Sequence, residues 1–352
     1  MSGECGCGAC GPERPEKWVS GHLDTPVGRV PRAATKWTWR DVLGAWAARW
    51  GVGRMRCTLE PGLYALGAPN ADSPVLASAN YRLSFDHLRR AMDGWDAWVL
   101  VLDTKGINVW CAAGKGTFGT EELVRRLDLC KVAGVVEHRT VIVPQLGAPG
   151  VAAHEVIRRS GFRAVYGPVR AVDLPAFLRA GMRATPEMRR VRFALRDRLA
   201  VTPVELVHGF VPALLLLALF VGLSGLGRGG YGISQELGVW TAAAVGANYL
   251  AGVVLTPALL PWLPGRSFAV KGAVTGLAVG VALGGLSPCG WLGRAGAGLL
   301  SVAACSFLGL MFTGSTTYTS ASGVRRELAW ALPAQGALAA AGLAGWIAAR
   351  FV

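Results

Sequence analysis

The sequence predicts an α/β, Rossmann-like domain followed by an all-α domain of five transmembrane helices, and three observations carry that expectation. The composition changes near position 205, charged residues being frequent before it and apolar runs dominating after it. Before the change, short apolar strands alternate with helix-forming stretches, the order of a largely parallel sheet. After it come five apolar stretches of spanning length: Gly209–Leu226, Val239–Trp262, Phe268–Leu286, Gly296–Phe312 and Leu328–Ala349. The chain is accordingly divided into a flexible Cys-containing tail (1–25), an α/β domain (26–180), a basic amphipathic linker helix (181–205) and a five-helix membrane domain (206–352).

The α/β elements follow from local signals. Thr38 reads as the N-cap of a helix with Val42, Leu43, Trp46 and Trp50 on one face. A strand around Met55–Leu59, a turn at Pro61-Gly62 and an extended stretch Tyr64–Leu66 come next, and Ser84 is expected to cap a helix to Met92. Trp98–Leu102 is apolar at every position, as in a strand buried on both faces. A second short strand is expected at Ile107–Trp110. A helix is then expected over Thr120–Leu129, a strand over Thr140–Val143, a helix over Val151–Arg159, a strand over Arg163–Tyr166 and a helix over Leu174–Ala180.

The formal charge is +14, and much of the excess lies between Arg179 and Arg198. Met188, Val191, Leu195 and Leu199 recur there at helical spacing while arginines take the other faces, the pattern of a helix on an anionic leaflet. These arginines lack the repeated aromatic interleaving that base stacking would need, Phe193 being the one aromatic among them, so nucleic acid is not an expected partner. The first thirty residues hold Glu4, Glu13 and Glu16 and no apolar core, so no cleavable leader is read there. Arg266, Lys271, Arg325 and Arg326 outweigh Arg228 and Arg294 in the short loops, which orients the N-terminal domain and the second and fourth loops to the cytoplasm. The expected location is the inner membrane, as a multi-pass protein.

Eight cysteines in a cytoplasmic setting point to thiol or metal chemistry more than to disulfides. Cys5, Cys7 and Cys10 crowd the tail, and soft thiolates at that spacing suit a two-coordinate soft metal, so a mercury relay is one reading of them. Cys111 sits in Asn108-Val-Trp-Cys-Ala-Ala-Gly-Lys115 at an expected strand-to-helix junction, where α/β sheets collect ligands. Gly114-Lys-Gly-Thr-Phe-Gly119 also fits the dinucleotide pattern of spaced glycines, which keeps a membrane-tethered nucleotide-dependent oxidoreductase as the alternative. Against it, three residues separate the expected strand from the first glycine, and no acidic residue closes the next strand. A Walker loop is excluded, since glycine follows Lys115.

The run Thr104–Thr120 resembles the signature of the mercury-methylating corrinoid protein family, relatives of the large corrinoid iron–sulfur subunit of the acetyl-CoA pathway. Pro61–Tyr64, Ser73–Val75, Ala79–Tyr81, Trp98–Asp103 and Phe312–Val324 extend the resemblance. It implies a corrinoid-binding α/β domain in which a cap helix presents Cys111 as lower axial ligand to cobalt, with Asn108, Val109, Trp110, Ala112, Ala113, Gly114 and Lys115 shaping the cofactor site. Ala113 and Gly114 are the expected close contacts, because a planar macrocycle must approach backbone. The implied activity is methyl transfer from a cobalamin-type corrinoid to Hg(II). The implied partners are a methyl-folate-dependent methyl donor enzyme and a small ferredoxin with two [4Fe-4S] clusters as reductant.

Overall fold

The computed structural model of the protein describes residues 18–54, 57–315, 319 and 321–352. It divides into two compact units, one of residues up to Ala48 with Val52–Val191, the other of Arg49–Gly51 with Arg192–Val352. The first is a mixed α/β domain on one seven-stranded sheet in the order β1-β2-β3-β5-β4-β6-β7. Its strands are β1 (Val19–Thr25), β2 (Gly28–Ala33), β3 (Gly62–Leu66), β4 (Val75–Ala79), β5 (Ala97–Leu102), β6 (Thr140–Val143) and β7 (Arg163–Tyr166). Strands β5, β4, β6 and β7 are mutually parallel, β3 runs antiparallel to β5, and the β1–β2 hairpin closes one edge.

Helices α1 (Trp39–Arg49), α2 (Arg82–Ala91), α3 (Val109–Lys115), α4 (Thr120–Leu129), α5 (Ala153–Ser160) and α6 (Leu174–Arg179) complete the unit. The chain passes from β4 to β5 on one side and then returns across β4 to β6 on the other. Such a reversal leaves a crevice beyond the strand carboxyl ends. Every position of β3, β4 and β5 is buried, so these strands form the centre of the core. An ion-pair network ties α1 to α2: Arg89, fully buried, places Nη2 2.7 Å from Asp41 and Nε 2.7 Å from Asp86, and donates through Nη1 to Ala34 O.

The structure departs from the expected elements at several places, each with a local cause. The tail assigned to 1–25 includes β1, whose ladder with β2 turns about Gly28 at φ 115°; Cys5, Cys7 and Cys10 lie outside the described residues. Leu59 and Thr58 make single bridging contacts with Asn80 and Tyr81 in place of the expected Met55–Leu59 strand, residues 55 and 56 lying outside the described residues. Helix α2 starts two residues before Ser84, after an extended Tyr81. The apolar face of α1 forms as expected but stays exposed, with Trp39 and Trp46 67% and 60% accessible.

No continuous helix covers 181–205. Gly181 and Met182 take left-handed φ of 64° and 63°, Pro186 breaks the run, and the Met188 carbonyl accepts from Val169 N–H while its side chain packs under α6. Only α7 (Leu195–Leu199) is helical before the first long helix. Arg198, expected on the polar face, is buried and donates from Nη1 to the carbonyls of Pro257 and Ala258.

The second unit holds α8 (Thr202–Ser224), α9 (Gln235–Leu250), α10 (Thr256–Leu259), α11 (Phe268–Gly285), α12 (Trp291–Met311) and α13 (Ala321–Ala348). A π turn, Ala251–Leu255, joins α9 to α10. Among the described residues, five helices are long and apolar enough to cross a membrane, and each overlaps one of the five expected stretches. Glycines set the packing: a Cβ on Gly272 or Gly276 of α11 would collide with backbone at Cys305 or Ser301 of α12, and one on Gly296 would collide with backbone at Trp346 of α13. Small residues at four-residue spacing allow this backbone contact where lipid offers no hydrophobic drive.

Candidate functional site around Cys111

Ile107–Trp110 is not a strand. Its apolar, β-branched run suggests one, but Asn108 is extended (φ −63°, ψ 158°) and its Oδ1 accepts from Cys111 N–H at 2.9 Å. That is an N-cap bond to the third helical residue, and it converts the run into the first turn of α3. Gly116 ends the helix at φ 80°, after which Thr117 and Phe118 N–H return to Ala112 O. The glycine-rich turn therefore joins two helices, with Gly114 inside α3. The strand-glycine-helix order that a dinucleotide fingerprint requires is not met, and the oxidoreductase alternative loses its structural support.

Loops from three parallel strands seat this short helix. Asn80, one residue past β4, is buried, and its Oδ1 accepts from Thr104 N–H, Thr104 Oγ1–H and Gly106 N–H at 3.0, 2.8 and 3.0 Å. Thr104 and Gly106 lie in the segment that leads from β5 to α3. After β6, the 3-10 turn Gln145–Gly150 packs on the other side: a Cβ on Gly150 would collide with Phe118 O and sit 3.3 Å from Ala113 Cα. Phe118 itself is fully buried.

Around α3 the candidate residues separate into two faces. Ala112 and Ala113 are buried and seat the helix on the sheet, so Ala113 is not available as the expected close contact. Cys111 and Trp110 are half-buried, and Gly114 and Lys115 are exposed. Cys111, Gly114 and Lys115 lie at i, i+3 and i+4 and share the outer face. A Cβ at Gly114 would meet nothing within 4 Å, so open space adjoins the thiol along the helix. Val109 leans on the core at the other side of the first turn.

A cleft of about 940 Å³ opens beyond the C-terminal end of α3, walled by Asp103, Lys105, Gly116, Thr117, Glu122 and Arg125 among others; Cys111 is not part of its wall. Asp103 pairs with Lys105 at 2.6 Å, and its N–H donates to Glu122 Oε1. Although partial burial opposes charge on Asp103, the Lys105 hydrogen bonds hold its carboxyl below the ordinary value. Cys130, under α4, is a different kind of thiol: burial pushes it up to about 11. It is expected to stay unalkylated by iodoacetamide at pH 8 in the folded protein and to react on unfolding, read by mass spectrometry.

Asn108→Ala should cost about 1 kcal/mol of stability by removing the cap, measured by denaturant unfolding, with a larger loss in order at Cys111 than at β5 by hydrogen exchange. Among the described residues no cluster of three or more His, Cys, Asp or Glu side chains is placed to hold a metal, so a metal at Cys111 would need its remaining ligands from elsewhere.

Comparison with known proteins covers this same segment. Residues 53–168 match the family model of the CO dehydrogenase/acetyl-CoA synthase delta subunit. The acetyl-CoA decarbonylase/synthase complex subunit gamma of Methanopyrus kandleri is 30% identical over 122 residues, 34% of this chain and 26% of that protein. Its counterpart in Methanocaldococcus jannaschii is 30% identical over 123 residues, 34% of this chain and 25% of that protein. The corrinoid/iron-sulfur protein large subunit of Moorella thermoacetica is 26% identical over 126 residues, 35% of this chain and 28% of that protein. The chain spans about a quarter of the length of the curated relatives it matches. The sheet segment that carries Cys111 is thus homologous to these subunits, and in this chain it is joined to five helices of spanning length.

Proposed function

We propose that the protein is a membrane-anchored, corrinoid-dependent methyltransferase whose acceptor is inorganic Hg(II), with the α/β domain in the cytoplasm. The observation that carries the reading is Cys111, presented by a capped two-turn helix at the carboxyl ends of parallel strands, in a segment homologous to a corrinoid/iron-sulfur protein. The outer face of α3 fits a flat macrocycle, because Gly114 leaves open space one turn from the thiol.

A bound corrinoid supplies a cobalt centre able to carry a methyl group. Cys111 Sγ would hold the cobalt, Asn108 holds the first turn of α3 in place, and Ala112 and Ala113 fix the helix to the core so that the thiol position is set by the sheet. Hg(II) is an electrophile and becomes methylmercury by accepting methyl with its bonding electrons, or as a radical together with one electron from the reductant. That demand favours a strongly donating ligand on the metal, and a thiolate donates more than imidazole or water. Lys115 places a cation on the same face, suited to anionic groups of the cofactor. The matched relatives are subunits of multi-protein complexes, which supports a separate methyl donor and a ferredoxin-type reductant for this chain. Cys5, Cys7 and Cys10 remain candidates for mercury delivery; their triple replacement by serine should slow methylation only at limiting Hg(II).

The test is the anaerobic visible spectrum of the full-length protein loaded with cobalamin, beside Cys111→Ala. A band set that changes when the thiol is removed supports the assignment. Identical spectra would remove Cys111 from the cobalt.

A further inference from the structure

The membrane unit contains a cavity of about 860 Å³, between α8, α9, α12 and α13, with a predominantly apolar wall. That volume is in the range of sites for small ligands. Its polar lining is sparse and neutral at depth: Thr241, Asn248, Ser301 and Gln335. The charged or titratable side chains in the wall lie at one end of the span: Glu205 and His208 in the first two turns of α8, and Tyr249 of α9, whose hydroxyl donates to Leu206 O.

Two buried polar atoms in this wall have no hydrogen-bond partner, Gln335 Oε1 and Thr241 Oγ1. Gln335 is 6% accessible and stands at the midpoint of the 27-residue span Ser322–Ala348. Its Nε2 donates to Ser306 Oγ at 2.8 Å. If the amide is turned round, its oxygen accepts from Ser306 and its nitrogen becomes the free end; either way one polar end is unpaired at mid-span. An unpaired amide in a hydrocarbon setting is costly, and polar groups kept there mark function. Behind it the polar layer continues: Cys305 Sγ lies 3.7 Å from Asn248 Oδ1, and the π turn begins three residues after Asn248. Such turns recur at functional sites.

We propose that this cavity binds a neutral, membrane-soluble amphiphile, an apolar chain or ring system carrying one hydroxyl or carbonyl, with its polar group on Gln335. A charged headgroup is disfavoured because no opposite charge lies at that depth. Water alone fills a space of this size poorly, since most of its wall offers no hydrogen bond. The assignment stands independently of the corrinoid reading.

The experiment uses the full chain in phospholipid nanodiscs with a photoactivatable long-chain alcohol, mapping adducts by mass spectrometry. Farnesol and its saturated hydrocarbon, farnesane, serve as competitors. Adducts are expected on cavity residues of α8, α12 and α13, with farnesol competing at about tenfold lower concentration than farnesane, the worth of one hydrogen bond to a buried neutral group. Gln335→Leu should close that gap, and Ala339→Trp should abolish the adducts by filling the space. Adducts spread over the lipid-facing surface, equal competition by the two compounds in the unaltered chain, or an unchanged gap in Gln335→Leu would each overturn the proposal. Equal competition would mean that any lipid tail fills the space.

Discussion

Cys111→Ala is expected to abolish methyl transfer to Hg(II) while leaving the α/β domain folded. The thiol is half-buried on the outer face of α3, and the residues that seat the helix, Ala112 and Ala113 inward and Gly150 behind, are untouched by the change. Loss of a group one shell outside a metal commonly costs ten to a hundredfold in activity, so loss of the ligand itself should cost at least about a hundredfold. Retained cobalt with altered absorption bands, in a protein of unchanged unfolding midpoint, would separate lost ligation from lost structure. A variant with undiminished turnover would show that the thiol does no chemistry. Because the glycines after α3 join two helices, neither protein is expected to retain NAD or flavin.

Arg89→Ala should destabilise the α/β domain by about 3 kcal/mol, since it removes the fully buried guanidinium that bridges Asp41 and Asp86 and leaves them only the partly exposed Arg82. The penalty depends on pH through Asp41. Burial raises the pKa of that carboxyl, but hydrogen bonds from Thr38 and the Arg89 and Arg82 guanidinium groups outweigh it, so its value in the fold lies below the ordinary 3.8. A depressed carboxylate contributes stability that is present above the unfolded value and lost as pH falls through the folded one. The stability of the unaltered chain to urea should therefore fall below about pH 4, and in Arg89→Ala, where the folded pKa of Asp41 moves back up toward the unfolded value, that acid-dependent loss should be smaller. Equal acid profiles for the two proteins would place the stabilisation elsewhere.

Much of the α/β order is visible in the sequence because β3, β5, β6 and β7 carry Val, Ile, Leu, Tyr or Trp between clear turn residues. Strand β4 escapes notice: Val-Leu-Ala-Ser-Ala is buried on both faces, so it has no alternation, and Ala and Ser carry little strand preference. Helix α3 is mistaken for a strand for the converse reason. Ile107, Val109 and Trp110 suit a strand locally, and only the Asn108 cap and the distant Asn80 and Gly150 decide otherwise. Cys111 is legible through its neighbours' resemblance to a known signature, whereas the division of labour between Ala113 and Gly114 depends on which way the helix faces. The mid-span polar layer is missed because a search for charges passes over Thr241, Asn248 and Gln335, whose significance lies in sharing one cavity.

The glycine contacts in the membrane unit have a mechanical consequence. Where α11 meets α12 at Gly272 and Gly276, and α12 meets α13 at Gly296, backbone touches backbone, leaving no side chains between them to change rotamer. These three helices form a stiff plate, because a packed contact without adjustable parts resists small sliding. Any breathing of the cavity then falls to α8, which keeps no fully buried residue across its most apolar stretch, and to α9, whose π turn supplies a natural pivot. Entry from the bilayer would thus be set by one loosely held helix swinging against a fixed wall, and cross-linking α8 to α9 should slow exchange without altering the wall itself.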